Sequence, residues 1–307
     1  MKKTFHSNGK LMLTGEYVVL DGATALVLPT KYGQTLEVSP SEKEGLHWQS
    51  IDENGEDWFE IYFTLNNGEI VLPNPTGFAH NDGVAEKLLK ILNTAKGMNP
   101  EFLNTAPGFN IKTKLDFPRN WGLGTSSTLI NNIAQWANVD AFKLLWNSFG
   151  GSGFDIAAAK NDVPIFYEKH GTESSVNKIH LPWDFKNKLF FIHLNKKQDS
   201  KKGIEHYKNN PATAKDIERI SDISKKLLLC YTIKDFENLM ESHEQIISGI
   251  IKMKPVKQRL FTNFKGTVKS LGAWGGDFVL ATGTESEMDY FRNEGFGTIV
   301  PFSEMVK

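Results

Sequence analysis

The 307-residue sequence predicts a mixed α and β protein of about two domains. Three observations predict it. The length allows roughly two units of about 150 residues each. Segments of alternating apolar and polar residues recur, as strands require, and between them lie apolar stripes at helical spacing. Hydrophobic residues make up 40% and charged residues 23%. That balance is globular and excludes a disordered, collagen-like or coiled-coil chain.

The first stretch reads as strands and turns. Lys10 to Val19 is β-rich with Gly15 inside it, and Leu26-Val27-Leu28 is a short strand ended by Pro29. Trp58 to Phe63 alternates. Asn66-Asn67-Gly68 reads as a turn before Ile70-Val71-Leu72. Gly83 to Leu92 places Val84, Leu88, Leu89 and Ile91 at helical spacing, and Ile111, Thr113 and Leu115 form one face of a strand. A glycine-rich turn at Trp121 to Ser127 leads into a helical stripe of Leu129, Ile130, Ile133, Ala134 and Ala137. A second glycine cluster, Gly150 to Gly153, precedes a helix start at Phe154. Leu189 to Leu194 is a strand. One helix carries Ile217, Ile220 and Leu227; the next carries Phe236, Met240, His243, Ile247 and Ile250. The end reads strand (Thr267 to Leu271), glycine loop (Gly272 to Gly276), strand (Asp277 to Ala281). The loosest join is the polar run His170 to Ser175 with the breaker Pro182, which sets domains at 1–180 and 181–307.

Charge and cysteine usage exclude several functions. Lysines and arginines number 35 against 36 acids, a net charge of -1. The basic excess of a nucleic-acid binder is absent, and Lys196-Lys197 and Lys201-Lys202 read as solvated surface. The one cysteine, Cys230, rules out an intramolecular disulfide and a multi-cysteine zinc site. Its apolar neighbours Leu227 to Leu229 make it a core thiol. No apolar run approaches the ~18 residues that span a bilayer. The basic Met1 to His6 is followed by no apolar signal segment. A cytoplasmic protein without a membrane or nucleic-acid partner is expected.

The chemistry lies in the glycine clusters. Glycine lets backbone N–H groups approach an anion closely, and a helix N-terminus adds unpaired donors and partial positive charge. Gly122-Leu123-Gly124-Thr125-Ser126-Ser127 before a striped helix therefore suits phosphate. The hydroxyls can bind phosphate, ligate Mg²⁺ or simply cap the helix. No G-x-x-x-x-G-K-[ST] pattern occurs, and Ser127 breaks the G-x-G-x-x-G dinucleotide pattern. No H-E-x-x-H or G-x-S-x-G pattern supports a hydrolase.

Four segments together resemble the GHMP kinase family. Ser7-Asn8-Gly9-Lys10-Leu11-Met12-Leu13-Thr14-Gly15-Glu16-Tyr17-Val18-Val19-Leu20-Asp21-Gly22 resembles its first motif, and Gly122 to Ser127 its second, G-L-G-S-S-A-A. Gly151-Ser152-Gly153-Phe154-Asp155 is similar to the S-G-x-D segment with the family's aspartate. Gly272-Ala273-Trp274-Gly275-Gly276 resembles its third motif. The matches follow family order and span residues 7 to 278. They are nearest the mevalonate and phosphomevalonate kinase branch, and Tyr17 after Gly15-Glu16 is more like the phosphomevalonate enzymes. Asn195 to Lys201 faintly resembles a T-G-K-x-x-[ST] segment, with Lys197 and Ser200 matching.

The resemblance implies an α+β fold with a ribosomal-protein-like N-terminal domain, a left-handed βαβ crossover and a ferredoxin-like C-terminal domain. It implies a kinase using ATP and Mg²⁺ on a small-molecule acceptor, mevalonate or phosphomevalonate, as a monomer or homodimer. Asp155 would take the acceptor's proton and Lys10 would neutralise charge. Gly122, Leu123, Gly124, Thr125, Ser126 and Ser127 would hold phosphate, with Ser126 on Mg²⁺. Glu16, Tyr17, Gly272, Ala273, Trp274, Gly275 and Gly276 would border the acceptor. Alternatives remain open: Asp155 as a helix N-cap, Lys10 as a surface lysine, Glu16 as a structural carboxylate. Other acceptors are a sugar or an amino-alcohol, and a non-catalytic ATP-binding protein is a further alternative.

The departures are specific. Asn8 replaces a proline, Thr125 a serine and Ser127 an alanine; Trp274 and Asp277 replace glycines, and Leu271 a Ser/Thr. The glutamate that mevalonate kinases carry before the aspartate has no counterpart, since 139–149 offers only Asp140.

Overall fold

The computed structural model describes residues 1–66, 69–72, 83–196, 200–272, 274 and 276–307. The chain opens with strands β1 (Lys3–Thr14), β2 (Ala25–Ser41), β3 (Gly45–Ile51), β4 (Asp57–Asn66) and β5 (Glu69–Val71). Helix α1 (Val84–Met98), strand β6 (Gly108–Leu115) and helices α2 (Thr125–Ala137), α3 (Ala141–Ser148) and α4 (Phe154–Ala159) follow. Then come β7 (Ile165–His170), β8 (Glu173–Lys178), β9 (Leu189–His193), α5 (Ser200–Asn209), α6 (Ala214–Lys226), α7 (Ile233–Ile251) and α8 (Val256–Leu260). The chain closes with β10 (Val268–Ser270), β11 (Phe278–Thr282), α9 (Asp289–Asn293), β12 (Ile299–Pro301) and α10 (Phe302–Met305). The mixed α+β class is as the sequence predicts.

These elements form two compact units, each discontinuous in sequence. One comprises 1–9, 32–119 and 124–160; the other comprises 10–31, 120–123 and 161–307.

In the first unit the strand order is β5-β4-β3-β6-β2. The β3–β6 pair is parallel, with Trp48 opposite Ile111, and β6 runs antiparallel to β2, with Thr113 opposite Leu36. Alternation in β6 buries Phe109, Ile111, Thr113 and Leu115, the period-2 pattern read from sequence. With Phe109 and Ile111 pack Leu88, Ile91, Leu92 and Ala95 of α1 and Ile130, Ile133 and Ala134 of α2. Each buried leucine or isoleucine among them contributes about 1.5–3 kcal/mol.

In the second unit an antiparallel sheet runs β10-β11-β9-β12, with Val279 opposite Ile192 and Val300 opposite Phe191. Its core includes Phe190, Ile192, Phe261, Phe264, Val279 and Phe291. Helix α6 starts at a capping box. The Thr213 Oγ1 accepts the Asp216 N–H at 3.2 Å, and the Asp216 carboxylate accepts the Thr213 N–H. Cys230 is buried and free, and burial pushes its thiol up to about 11; it is a core thiol as expected.

Three local readings change. The first strand stops at Thr14 and does not continue to Val19, because Gly15 and Tyr17 both take positive φ, 98° and 63°, which a strand cannot hold. Pro29 does not end its strand. It falls between the Val27–Ile165 and Gln34–Leu115 pairs, where neither ladder needs its missing N–H. The polar run His170 to Ser175 is no open join but the turn of the β7–β8 hairpin, with His170 opposite Glu173 and Gly171 at φ 63°. The proposed turn at 66–68 lies partly outside the described residues. Among the described residues no helix is long and apolar enough to cross a membrane.

Candidate active site

In the first unit, α2 begins directly after Gly124, whose φ of 93° suits glycine, and no side chain caps it. The hydroxyls turn the other way: Ser127 Oγ donates to the Gly124 carbonyl at 2.8 Å, and Thr128 Oγ1 approaches the same carbonyl at 3.2 Å. The Ser/Thr-capped alternative therefore fails. The first-turn N–H groups are left without a side-chain acceptor, the arrangement that binds anions. Ser126 is exposed and Thr125 half-buried.

A buried polar network fixes this helix. Asn131 Nδ2 donates to Ser7 Oγ at 2.8 Å, and Ser7 Oγ donates to Asn132 Oδ1 at 2.8 Å. Asn132 Nδ2 donates to the Gln34 carbonyl at 2.9 Å, and Thr128 Oγ1 donates to Gln34 Oε1 at 2.8 Å. The helix thus buries two asparagines beside its apolar stripe, and these set its position on β1 and β2. Helix α4 packs against α2. Its N-cap is Gly153, and Asp155 occupies the first turn, so Asp155 is not the cap. A carboxylate there gains from the helix dipole. The one acid of 139–149 is already used: Asp140 caps α3, accepting the Lys143 N–H at 2.8 Å.

In the second unit, Lys10 is bound to the glycine turn. Its N–H donates to the Leu123 carbonyl at 3.0 Å and its Nζ to the Gly122 carbonyl at 3.1 Å. This is no loose surface lysine.

Glu16 is buried among charges. Its Oε1 lies 2.5 Å from Lys269 Nζ and its Oε2 lies 3.2 Å from His243 Nε2. The imidazole accepts the Gly15 N–H at 3.0 Å. Burial, then the Lys269 charge, holds His243 well below its ordinary value, so the ring is neutral and the short approach to Glu16 is not an ion pair. Burial raises the Glu16 carboxyl against the opposing pull of Lys269. Glu244, accepting the Ser270 N–H at 3.1 Å, is pushed up to about 8, first by burial. These contacts tie the first-motif turn to α7 and β10.

Tyr17 sits at a strained turn. With φ 63° and ψ -51°, it is spanned by the Val18 N–H to Glu16 carbonyl bond of 2.7 Å, which makes the rare γ-turn of positive φ. Its ring stacks on Tyr207 at 5.8 Å, and its hydroxyl accepts the Trp274 N–H at 3.3 Å. Tyr207 in turn donates to Asp21. Trp274 is buried and its indole N–H has no partner among the described residues. Gly272 has φ 63° and Gly276 is buried. Ala273 and Gly275 lie outside the described residues, as does Lys197 of the T-G-K-x-x-[ST]-like segment.

Among the described residues no group of three or more His, Cys, Asp or Glu side chains could hold a metal. Mg²⁺ does not need one: it is commonly held by one or two protein oxygens and by the phosphates of its nucleotide.

Solved structures place the fold. A mevalonate kinase from Methanococcus jannaschii is 15% identical with a TM-score of 0.68, covering 96% of this chain and 94% of its own. A Streptococcus pneumoniae phosphomevalonate kinase, in complex with phosphomevalonate and AMPPNP, is 16% identical with a TM-score of 0.67 and 95% coverage of each chain. A Lactococcus lactis galactokinase complexed with galactose is 13% identical with a TM-score of 0.63, over 95% of this chain and 88% of its own. No family model matches the chain, and no curated protein sequence matches it. The chain has the fold shared by these GHMP kinases.

Sequence reasoning missed Lys269, Glu244, Tyr207 and the setting of Asp277. Lys269 alone left a signal, as a lysine in the middle of the apolar strand Thr267 to Leu271.

Proposed function

We propose that this chain is an ATP- and Mg²⁺-dependent small-molecule kinase, with mevalonate or phosphomevalonate as the favoured acceptor. The observation that carries the reading is α2. It is an uncapped, glycine-led helix start that packs on α4, the helix with Asp155 in its first turn, in a chain of GHMP-kinase fold.

Phosphoryl transfer depends on positioning and charge neutralisation. The first-turn amides of α2 bind the phosphate oxygens. The Ser126 hydroxyl is the group that would hold Mg²⁺, which neutralises phosphate charge when bound. Asp155 accepts the proton of the attacking hydroxyl. Lys10, held on the Gly122 carbonyl, supplies positive charge to the transferring phosphoryl. Tyr17, Gly272, Trp274 and Gly276, with Glu16 behind them, border the acceptor. In this reading residues 1–180 are the ribosomal-protein-like, nucleotide-binding domain and residues 181–307 the ferredoxin-like domain.

The first-motif sequence favours the isoprenoid acceptors over a sugar or amino-alcohol. The test is ADP release by the purified protein with mevalonate, phosphomevalonate, galactose and homoserine. Stimulation by one of the first two supports the assignment, and galactose or homoserine alone redirects it. Failure of all four overturns the acceptor class. Trp274 in place of glycine and the use of Asp140 as a cap favour a second reading, a nucleotide-binding protein without turnover. ATP binding that is unchanged in Asp155→Ala, with no ADP release, would establish it.

A further inference from the structure

His193 closes β9 and is buried, and both of its ring nitrogens face backbone. The Asn195 nitrogen lies 3.3 Å from Nδ1, and the Asn120 carbonyl oxygen lies 3.2 Å from Nε2. A peptide N–H can only donate and a carbonyl can only accept. Nδ1 must therefore present a lone pair and Nε2 a proton, so the two contacts admit one form of the ring, the Nε2–H tautomer. The ring is wedged in place. It lies 5.1 Å from the Phe278 ring and 6.4 Å from Trp121, and Trp121 meets Phe278 edge-on at 5.3 Å. The His193 N–H donates to the Thr298 carbonyl at 3.0 Å, which fixes the backbone that carries the ring.

What the ring holds is the approach to the glycine turn. Beyond Asn120, the Gly122 carbonyl accepts from Lys10 Nζ at 3.1 Å and the Leu123 carbonyl accepts the Lys10 N–H at 3.0 Å. The carbonyls of Asn120, Gly122 and Leu123 are thus held by donors of His193 and Lys10, and all of these residues belong to the second unit. An Asn120 peptide set loose would let the Gly122 carbonyl shift, and the Lys10 ammonium with it. We propose that His193 is a positioning residue for Lys10, acting through the stretch from Asn120 to Gly122. The inference rests on the kinase reading above, in which Lys10 supplies charge to the transferring phosphoryl. A group misplaced by about 1 Å in such a role can cost up to roughly 10²-fold in rate.

The test has a spectroscopic and a kinetic arm. Long-range proton–nitrogen NMR on the wild type reads the tautomer: a pyrrole-type Nε2 and a pyridine-type Nδ1 are expected for His193, and the reverse overturns the bond to Asn120. Kinetics then separate the ring's two bonds. His193→Gln keeps an amide N–H near the place of Nε2, whereas His193→Asn keeps an acceptor near the place of Nδ1 and lacks a donor that reaches Asn120. The asparagine variant should lower kcat for ADP release roughly tenfold with a nearly unchanged ATP dissociation constant, and the glutamine variant should restore most of that loss. Equal losses in both variants, a loss confined to ATP affinity, or no loss overturns the positioning role. If the asparagine variant does not fold, the tautomer and the glutamine variant decide: a glutamine kcat far below wild type overturns the role. A wild type that shows the expected tautomer but releases no ADP with any acceptor overturns the kinase reading, and this inference with it.

Discussion

Lys269 Nζ lies 2.5 Å from Glu16 Oε1, with the two side chains 0% and 1% exposed. The pair joins a β10 lysine to the turn that follows β1, and a neutral His243 and a protonated Glu244 complete the cluster. Removing one partner leaves the other charge buried alone. Lys269→Met should cost about 3–5 kcal/mol in urea unfolding. Adding Glu16→Gln should recover part of that loss. A single-variant cost below about 1 kcal/mol, typical of an exposed pair, would contradict the burial of this ion pair.

Stability should fall as pH rises from neutral. Folded Glu244 keeps its proton up to about 8, whereas its ordinary value is 4.5. Its contribution is complete below pH 4.5 and is lost as pH rises through about 8. Burial tilts Glu16 the same way. His243, held below 6.5, contributes fully above that pH and opposes the trend only below it. Between pH 6.5 and about 8 the acid slope is therefore left unopposed by His243. Unfolding free energies across that window should decline, and Glu244→Gln should flatten the decline. An identical slope in both proteins would remove Glu244 from this role.

Gly203 of α5 leaves room for Tyr17. A Cβ at 203 would lie 2.6 Å from the Tyr17 hydroxyl and 2.9 Å from its Cε1. Stacking on Tyr207 and the γ-turn restrict the ring's retreat. Gly203→Ala should destabilise by about 1–3 kcal/mol through overpacking. Tyr17→Phe should lose only about 1 kcal/mol, the weight of one hydrogen bond. Thermal melts that reverse this order would show that the ring yields freely.

Ser126 and Ser127 are adjacent and should separate cleanly. The Ser127 hydroxyl is tied to the Gly124 carbonyl, so Ser127→Ala should cost about 1 kcal/mol of stability and little in Mg²⁺ dependence. Exposed Ser126 should behave oppositely: Ser126→Ala should raise the Mg²⁺ concentration needed for half-maximal activity without lowering the melting temperature. Equal effects on both measurements would refute the division of labour.

Much of this was legible in the sequence, for physical reasons. The alternation at Ile111, Thr113 and Leu115 and the stripes of α1, α2, α6 and α7 reflect one-sided burial, which leaves a period. The glycines at 122, 124 and 153 announce positive φ. The Glu16 cluster was not legible, because Lys269 and His243 meet Glu16 only through long-range packing that no local pattern encodes. Tyr17 misled the strand reading because a β-favouring side chain occupies a γ-turn that tertiary contacts impose. The place of the Asp277 carboxylate against Gly122 likewise has no local signature, since the two positions meet only through the fold.

The proposed role of Asp155, to take the acceptor's proton during transfer from ATP, is open to a single test. The direct measurement pairs kcat for ADP release with the ATP dissociation constant, in the wild type and in Asp155→Ala. The account predicts a fall in kcat of about 10²–10⁴-fold with nearly unchanged ATP affinity. A variant that keeps most of its turnover would contradict it.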